Sequence, residues 1–146
     1  MKKYELTEET KVIDGKTLFR IRALRSFGDI KAGDLGGFIE NERNLSHEGN
    51  AWVEDNARVD GDARVDGDGL INSNNDYLCE KGLGSHNRSA SFFKCKDGHI
   101  HVLCGCFSGN LDEFENKVKE EHGNSKYAKE YLGFIEVVKT HFEVRQ

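Results

Sequence analysis

The residues best suited to chemistry lie in one glycine-rich loop and on the strand predicted to follow it. They are Ser85, His86, Asn87, Arg88, Phe92 and Phe93. Serine, asparagine and arginine side chains donate hydrogen bonds to phosphate or ribose oxygens, and an aromatic ring can stack on a base. Phe92 and Phe93 are adjacent on the predicted strand, so their rings must face opposite ways. One ring must therefore lie in a second core, at an interface or in a pocket. We predict a site for a small nucleotide-type ligand here.

Two further arginines extend the predicted site. Arg20 and Arg22 alternate with Phe19 and Ile21 along a predicted strand over residues 17–25. If Phe19 and Ile21 face the core, the two arginines point together off the other face. We predict that Arg20 and Arg22 add positive charge to the ligand site from a neighbouring subunit. The alternative is that they form a solvated strand face.

Metal binding and catalysis have little support in the sequence. The possible metal ligands are Cys79, Cys95, Cys104, Cys106, His99 and His101. No C-x-x-C knuckle occurs among them, so we predict reduced, buried thiols and no metal. Ser85 and His86 are sequence neighbours, which does not make a catalytic pair. Because there is also no nucleophile elbow, Walker loop or dinucleotide fingerprint, we predict no cofactor and no enzymatic activity.

Composition narrows the class of protein. The chain has 146 residues and a formal net charge of -5, with 32% charged and 10% aromatic residues. The aromatic content and the patterned apolar residues argue against disorder, and the acidic balance argues against a protein that coats duplex nucleic acid. We find no apolar run long enough to span a membrane and no secretion signal. The sequence therefore predicts a cytoplasmic protein with no membrane partner.

A six-residue repeat organises the first half. Its aliphatic positions are Val53, Val59, Val65 and Ile71, and Leu45 and Ala51 keep the phase towards the N-terminus. An aliphatic residue at every sixth position, with small residues between, is typical of a left-handed parallel β-helix, in which each hexad forms one side of a triangular coil. Residues 38–75 hold about two coils. The other interpretation, a calcium-binding acidic repeat, lacks the expected ligand spacing.

Two coils are too few to be stable without neighbours, because a repeat stack must bury its ends. The covering element is a hairpin predicted around Asp14–Gly15, the C-terminal half, or another subunit. We therefore predict a homo-oligomer, with three-fold packing by analogy with other triangular coils. This region, residues 1–75, is the predicted N-terminal domain.

Residues 76–146 form the predicted C-terminal α/β domain. Two antiparallel strands are expected on either side of the Asp97–Gly98 turn. Two amphipathic helices follow, with Asn110 and Ser125 as predicted N-caps. We expect both helices to pack on one face of a small antiparallel sheet. The predicted fold class of the whole chain is α+β.

Two segments resemble known families. Residues 29–69, with KAGDLGGF, LSHEGNAWV and the hexads, resemble bacterial and phage hexapeptide-repeat proteins. Residues 84–142, with GSHN, FFKCKDG, CGCFSGNLDEF and HGNSKYAKEY, are similar to a small domain of phage and prophage proteins. His86 stands where that family usually has arginine. The resemblance implies a phage or prophage protein acting in the host bacterial cytoplasm.

The same context is similar to that of phage proteins that sequester nucleotide immune signals. By this analogy we predict a non-enzymatic protein that binds and sequesters a small nucleotide-type ligand in an oligomeric pocket. Acyltransferases built on hexapeptide coils use many more coils, which argues against that activity. The alternative is a structural or protein-interaction module without a small ligand.

Overall fold

The computed structural model describes residues 2–84 and 88–143. The chain begins with an antiparallel hairpin of strands β1 (Tyr4–Ile13) and β2 (Lys16–Ala23). Asp14 and Gly15 both have positive φ, 52° and 79°, as a tight hairpin turn requires. The predicted turn is confirmed.

The hairpin leads into a region of parallel pairing. Strand β3 (Leu35–Ile39) pairs antiparallel with β2 and parallel with β5 (Arg58–Val59). Strand β4 (Trp52–Val53) pairs parallel with β6 (Leu70–Ile71), and Leu45 forms a parallel bridge with Val65. The three pairings join segments 20, 18 and 20 residues apart. Each of three successive segments is thus stacked on its equivalent about three hexads later. We call this parallel-paired region, residues 38–71, the coil.

The hexad repeat fills the first core. The aliphatic and small residues of the repeat are each at most 3% exposed: Leu45, Ala51, Val53, Ala57, Val59, Ala63, Val65 and Ile71. Their predicted inward orientation is confirmed. The buried Asn44 amide donates to the carbonyls of Gly61 and Ala63, at 3.2 and 2.8 Å, so it ties the two layers together without an unpaired polar atom.

The C-terminal part is a four-stranded antiparallel sheet followed by two helices, as predicted. Its strands are β7 (Tyr77–Leu83), β8 (Arg88–Lys94), β9 (Ile100–Cys104) and β10 (Phe107–Asn110), in the order β10-β9-β8-β7. The helices are α1 (Leu111–His122) and α2 (Lys126–His141). Asn110 and Ser125 cap them by accepting from the backbone N–H of Glu113 and Ala128. The α+β class is confirmed.

Strand β8 contributes to both hydrophobic cores. Phe93 belongs to the first core with Val65, whereas Phe92 packs in the second core against Phe114 and Phe134. The Ser91 hydroxyl also accepts a hydrogen bond from the Arg64 backbone N–H at 3.0 Å.

The second layer of the coil is therefore covered by the same chain. Val59, Val65 and Ile71 are at most 1% exposed in the single chain. Burial of the coil end consequently does not require a second subunit, and the homo-oligomer stays a prediction. The domain division after residue 75 also stays a prediction. In the described part of the chain, neither helix is long and apolar enough to cross a membrane.

Candidate functional site

Arg88, the first residue of β8, lines two cavities. The first, which we term the cationic cavity, has a volume of about 440 Å³ and is lined by Arg43, Gly61, Asp62, Arg64, Lys81, Arg88, Ser89 and Gly105. The second, the aromatic cavity, measures about 420 Å³ and is lined by Arg88, Cys104, Cys106, Phe107, Ser108, Phe114, Lys117, Val118, Glu121, His122 and Tyr131. Both volumes lie in the range of small-molecule sites.

The four cations of the cationic cavity come from both halves of the chain. Arg43 lies in a 3-10 turn (Glu42–Asn44), and Arg64 follows an inward-facing alanine of the second coil layer. Lys81 lies in β7 and Arg88 in β8. The cavity is therefore formed where the C-terminal sheet docks on the coil.

Positive charge is in excess around the cationic cavity. Asp62 supplies the one carboxylate of its lining and lies 3.4 Å from Lys81 Nζ in an exposed ion pair. Among the described residues, no carboxylate pairs with the guanidinium of Arg64 or Arg88. A local excess of cations in a protein of net charge -5 attracts small anions to this position rather than to the whole surface.

The Arg88 side chain packs against Gly105. A Cβ atom at this position would collide with the Arg88 guanidinium, and Gly105 has a φ of 59°, which favours glycine. The tight turn between β9 and β10 therefore lets the Arg88 guanidinium lie directly against its backbone. Arg88 thus contributes to the lining of both cavities.

Four ring-bearing side chains line the aromatic cavity. Phe107 and Phe114 have ring centres 5.2 Å apart, and Phe114 meets Tyr131 edge to face at 5.8 Å. His122 is nearly parallel to Tyr131, at 5.6 Å and 23°. Phe107 and His122 are half-buried, whereas Phe114 and Tyr131 are buried. The half-buried rings supply an aromatic wall that a bound planar group can contact.

The buried acids near Arg88 are neutral at physiological pH. Burial, with a smaller contribution from Cys104, raises the pKa of Tyr131 to about 12. Burial also raises the pKa of the Cys104 thiol. Because neither group ionises near pH 7, neither cancels the positive charge of Arg88.

The predicted site residues are only partly brought together. Ser85, His86 and Asn87 lie outside the described residues. Arg88 lines the site, but Phe92 and Phe93 are both 0% exposed. Phe93 lies in the first core and Phe92 in the second, so each ring packs in a core of its own rather than at an interface or in a pocket. Neither ring has free surface on which a ligand could stack, so the stacking role predicted for Phe92 and Phe93 does not fit this structure.

Arg20 and Arg22 lie on the N-terminal sheet and line neither cavity. Arg20 pairs with Glu9 at 2.8 Å and donates to the carbonyls of Gly36 and Asp55. Arg22 pairs with Glu5 at 2.6 Å. Within one chain these arginines stabilise their own strands. Their predicted contribution from a neighbouring subunit stays a prediction.

Three cations of the site were missed by sequence reasoning. Arg64 carries a usable signal, since it holds the same hexad position as Arg58, directly after an inward-facing alanine. That position points out of the coil. Arg43 and Lys81 carry no comparable signal, because their place depends on how the two halves dock. Within residues 2–84 and 88–143, no group of three His, Cys, Asp or Glu side chains is arranged to hold a metal ion.

Comparison with known proteins gives one partial similarity. No family model matches the chain. Over 61 residues, 36% of this chain, it is 39% identical to the uncharacterized acetyltransferase YdcK of Escherichia coli (strain K12). The aligned part is 19% of that protein, so the chain spans about a fifth of the length of the curated relative it matches. The similarity is compatible with a hexapeptide-repeat protein.

This similarity corrects one prediction. The sequence predicted no enzymatic activity, whereas the relative is named as an acetyltransferase, which points to a possible enzyme. The earlier prediction relied on the lack of known catalytic motifs and on the small number of coils. Neither observation excludes activity, because a catalytic site is defined by geometry rather than by a local motif.

Proposed function

We propose that this protein binds a small nucleotide-type anion, with its phosphate groups in the cationic cavity. The observation that carries the proposal is the convergence of Arg43, Arg64, Lys81 and Arg88 on one cavity with a single carboxylate. Arginine pairs with phosphate oxygens through two parallel hydrogen bonds. Gly61, which has no side chain, leaves room for the ligand to approach the backbone closely.

We also propose a setting for this activity. The parallel pairings 18 to 20 residues apart support a short left-handed parallel β-helix, which is the coil geometry of hexapeptide-repeat proteins. The motif resemblance supports a phage or prophage protein in the host cytoplasm. Its ligand would then be a nucleotide immune signal, which the protein captures and sequesters.

Arg64 and Arg88 provide the direct test. Arg64→Gln and Arg88→Gln should each weaken binding of inorganic pyrophosphate at least about tenfold, because each removes a charged hydrogen-bond donor to phosphate. Isothermal titration calorimetry measures this loss. Higher salt should also weaken binding, since exposed charges are screened. If neither substitution changes the affinity, the cationic cavity is not the binding site.

Arg58→Gln is the matched control. Arg58 occupies the same hexad position as Arg64 but lines neither cavity of Arg88. Its substitution removes the same charge and should leave the affinity within about twofold of the wild-type value, since its field at the site is screened. Arg22→Gln tests separately whether the N-terminal arginines contribute through a second subunit.

A ligand panel then identifies the class of molecule. Cyclic dinucleotides, cyclic trinucleotides, ADP-ribose and its cyclic isomers are each mixed with the protein, and the rise in melting temperature is measured. The ligand is afterwards released by heat and examined by chromatography. An intact ligand with a large shift supports capture. No shift across the panel would favour a protein-interaction module.

Acyl transfer is a second candidate, favoured by the similarity to YdcK. A coenzyme A thioester is itself a nucleotide-type anion, so its nucleotide part would use the same cations. In acyl transfer the acetyl carbon leaves the coenzyme A sulfur and bonds to an acceptor amine or hydroxyl. Incubation with acetyl-coenzyme A and a set of amine and hydroxyl acceptors, followed by measurement of acceptor-dependent thiol release, tests this candidate. Thiol release that is lost in Arg88→Gln would make the cationic cavity a donor site.

A further inference from the structure

We infer that the aromatic cavity holds the planar ring of the same ligand whose phosphates occupy the cationic cavity. This inference rests on the proposed function, because it assumes that phosphate groups bind beside Arg88. The inference adds a ring-binding subsite to the proposed phosphate site, and it restricts the ligands that the protein can bind. The ligand must carry an aromatic ring within reach of its phosphate groups.

Arg88 is a lining residue of both cavities, and this shared residue supports a single ligand. The turn on which the Arg88 guanidinium lies is formed by Cys104, Gly105 and Cys106, which line one cavity or the other. A ligand that spans Arg88 would therefore have phosphates on one side of the guanidinium and a ring on the other. Each cavity, at about 440 and 420 Å³, is larger than a free phosphate ion needs, so a ligand that reaches past Arg88 can place its phosphates in one and its ring in the other.

The two cavities also differ in chemistry: one offers cations for phosphate groups and the other offers rings for a base. Among the described residues, the cationic cavity has no aromatic side chain in its lining, whereas Phe107 and His122 present half-buried rings to the aromatic cavity. Lys117 and Glu121 lie in the same lining and form an ion pair with each other at 3.2 Å. Apart from Arg88, the described aromatic cavity thus offers rings and a neutralised pair rather than a second phosphate site.

Calorimetry separates the two subsites. Inorganic pyrophosphate is compared with the nucleoside diphosphates ADP, GDP, UDP and CDP on the full chain. The tightest of the four should bind at least about fivefold better than pyrophosphate, since stacking of one base on an aromatic side chain stabilises the complex by about 1–3 kcal/mol. Phe107→Leu should remove most of this preference and leave pyrophosphate affinity unchanged. His122→Gln, at the exposed end of α1, gives the same comparison should Phe107→Leu fail to fold.

Cys106 provides an independent readout in the unmodified protein. It is the exposed cysteine of the four and lines the aromatic cavity but not the cationic cavity. A saturating nucleoside diphosphate should slow alkylation of Cys106 at least about fivefold, and saturating pyrophosphate should not. Peptide mass spectrometry distinguishes Cys106 from the other thiols, and Cys106→Ser confirms the assignment.

The outcomes separate this inference from the proposed function. If pyrophosphate and all four nucleotides fail to bind, the proposed function is wrong. If they all bind equally well, or if a bound nucleotide leaves Cys106 alkylation unchanged, phosphate binding stands and the ring subsite is overturned.

Discussion

Lys3 is an amine buried in the first core. Its side chain is 0% exposed, its Nζ donates to the Ala51 carbonyl at 2.6 Å and lies 5.0 Å from the centre of the Phe27 ring. Burial, together with the nearby charge of Arg25, lowers the pKa of Lys3 to about 8. The folded protein therefore releases this proton at a lower pH than the unfolded chain does.

A pH series on Lys3→Met tests this effect. Between pH 8 and 10.5 the unfolded wild-type chain binds the Lys3 proton and the folded chain does not, so wild-type stability rises with pH relative to the variant. The unfolding free energy of the wild type minus that of Lys3→Met should increase by at most about 3 kcal/mol from pH 8 to pH 10.5. Well below pH 8 this difference should not depend on pH.

Urea unfolding of both proteins at each pH measures this difference. Subtracting the free energy of the variant from that of the wild type at the same pH removes the contribution of the tyrosines and cysteines, which also titrate in this pH range. Parallel stability curves would show that Lys3 keeps its ordinary pKa in the folded protein.

The hexad repeat is interrupted at Gly69, and the contact with β8 explains why. Ala57 and Ala63 hold the equivalent position in the two preceding hexads. A Cβ atom at Gly69 would lie 2.5 Å from Val65 Cγ1 and 2.8 Å from the Phe93 ring. Gly69→Ala should therefore lower the free energy of unfolding by about 1–3 kcal/mol, as overpacking does. Chemical denaturation measures the loss, and an unchanged stability would mean that Phe93 does not press on the coil.

Gly133→Ala is the corresponding control. Gly133 lies exposed within α2, and an added Cβ atom meets nothing within 4 Å. The same methyl group should here raise the free energy of unfolding by about 0.5–1 kcal/mol, because alanine favours a helix over glycine. The two substitutions should thus have opposite signs.

Elements with a local signal could be predicted from the sequence. The inward positions of the coil follow from a period of six, and the helix ends follow from the capping residues Asn110 and Ser125. The docking of β8 on the coil carries no local signal, since it joins residues such as Gly69 and Phe93 that are far apart in sequence. Arg88 was identified as a site residue because it directly follows a glycine-rich polar loop in the sequence. Arg43 and Lys81 were not identified, because they reach the cavity only through this docking.

On the scale of the whole molecule, β8 couples two cores that the chain order keeps apart. The first core contains Trp52, the single tryptophan, and the second contains both helices. Because Phe92 and Phe93 are neighbours on one strand, loss of either core exposes the other face of the same strand. We therefore expect one cooperative unfolding transition.

Two spectroscopic signals test this cooperativity. Trp52 fluorescence follows the first core, and circular dichroism at the helix band follows the second. Both should report the same denaturant midpoint. In Phe93→Ala both midpoints should fall together, since removing a buried phenylalanine side chain costs about 3–5 kcal/mol. Separate midpoints would mean that the two parts unfold independently.

The position of β8 in the chain also bears on synthesis. The ribosome delivers residues 38–71 before residues 91–95, so the coil exists for a time without the strand that covers it. During that time the backbone groups of the outer layer and the aliphatic residues Val59, Val65 and Ile71 are open to other nascent chains, as an uncovered sheet edge is. We therefore expect the coil to be open to aggregation between the emergence of residue 71 and that of residue 95 from the ribosome, and a translational pause that prolongs this delay should increase aggregation.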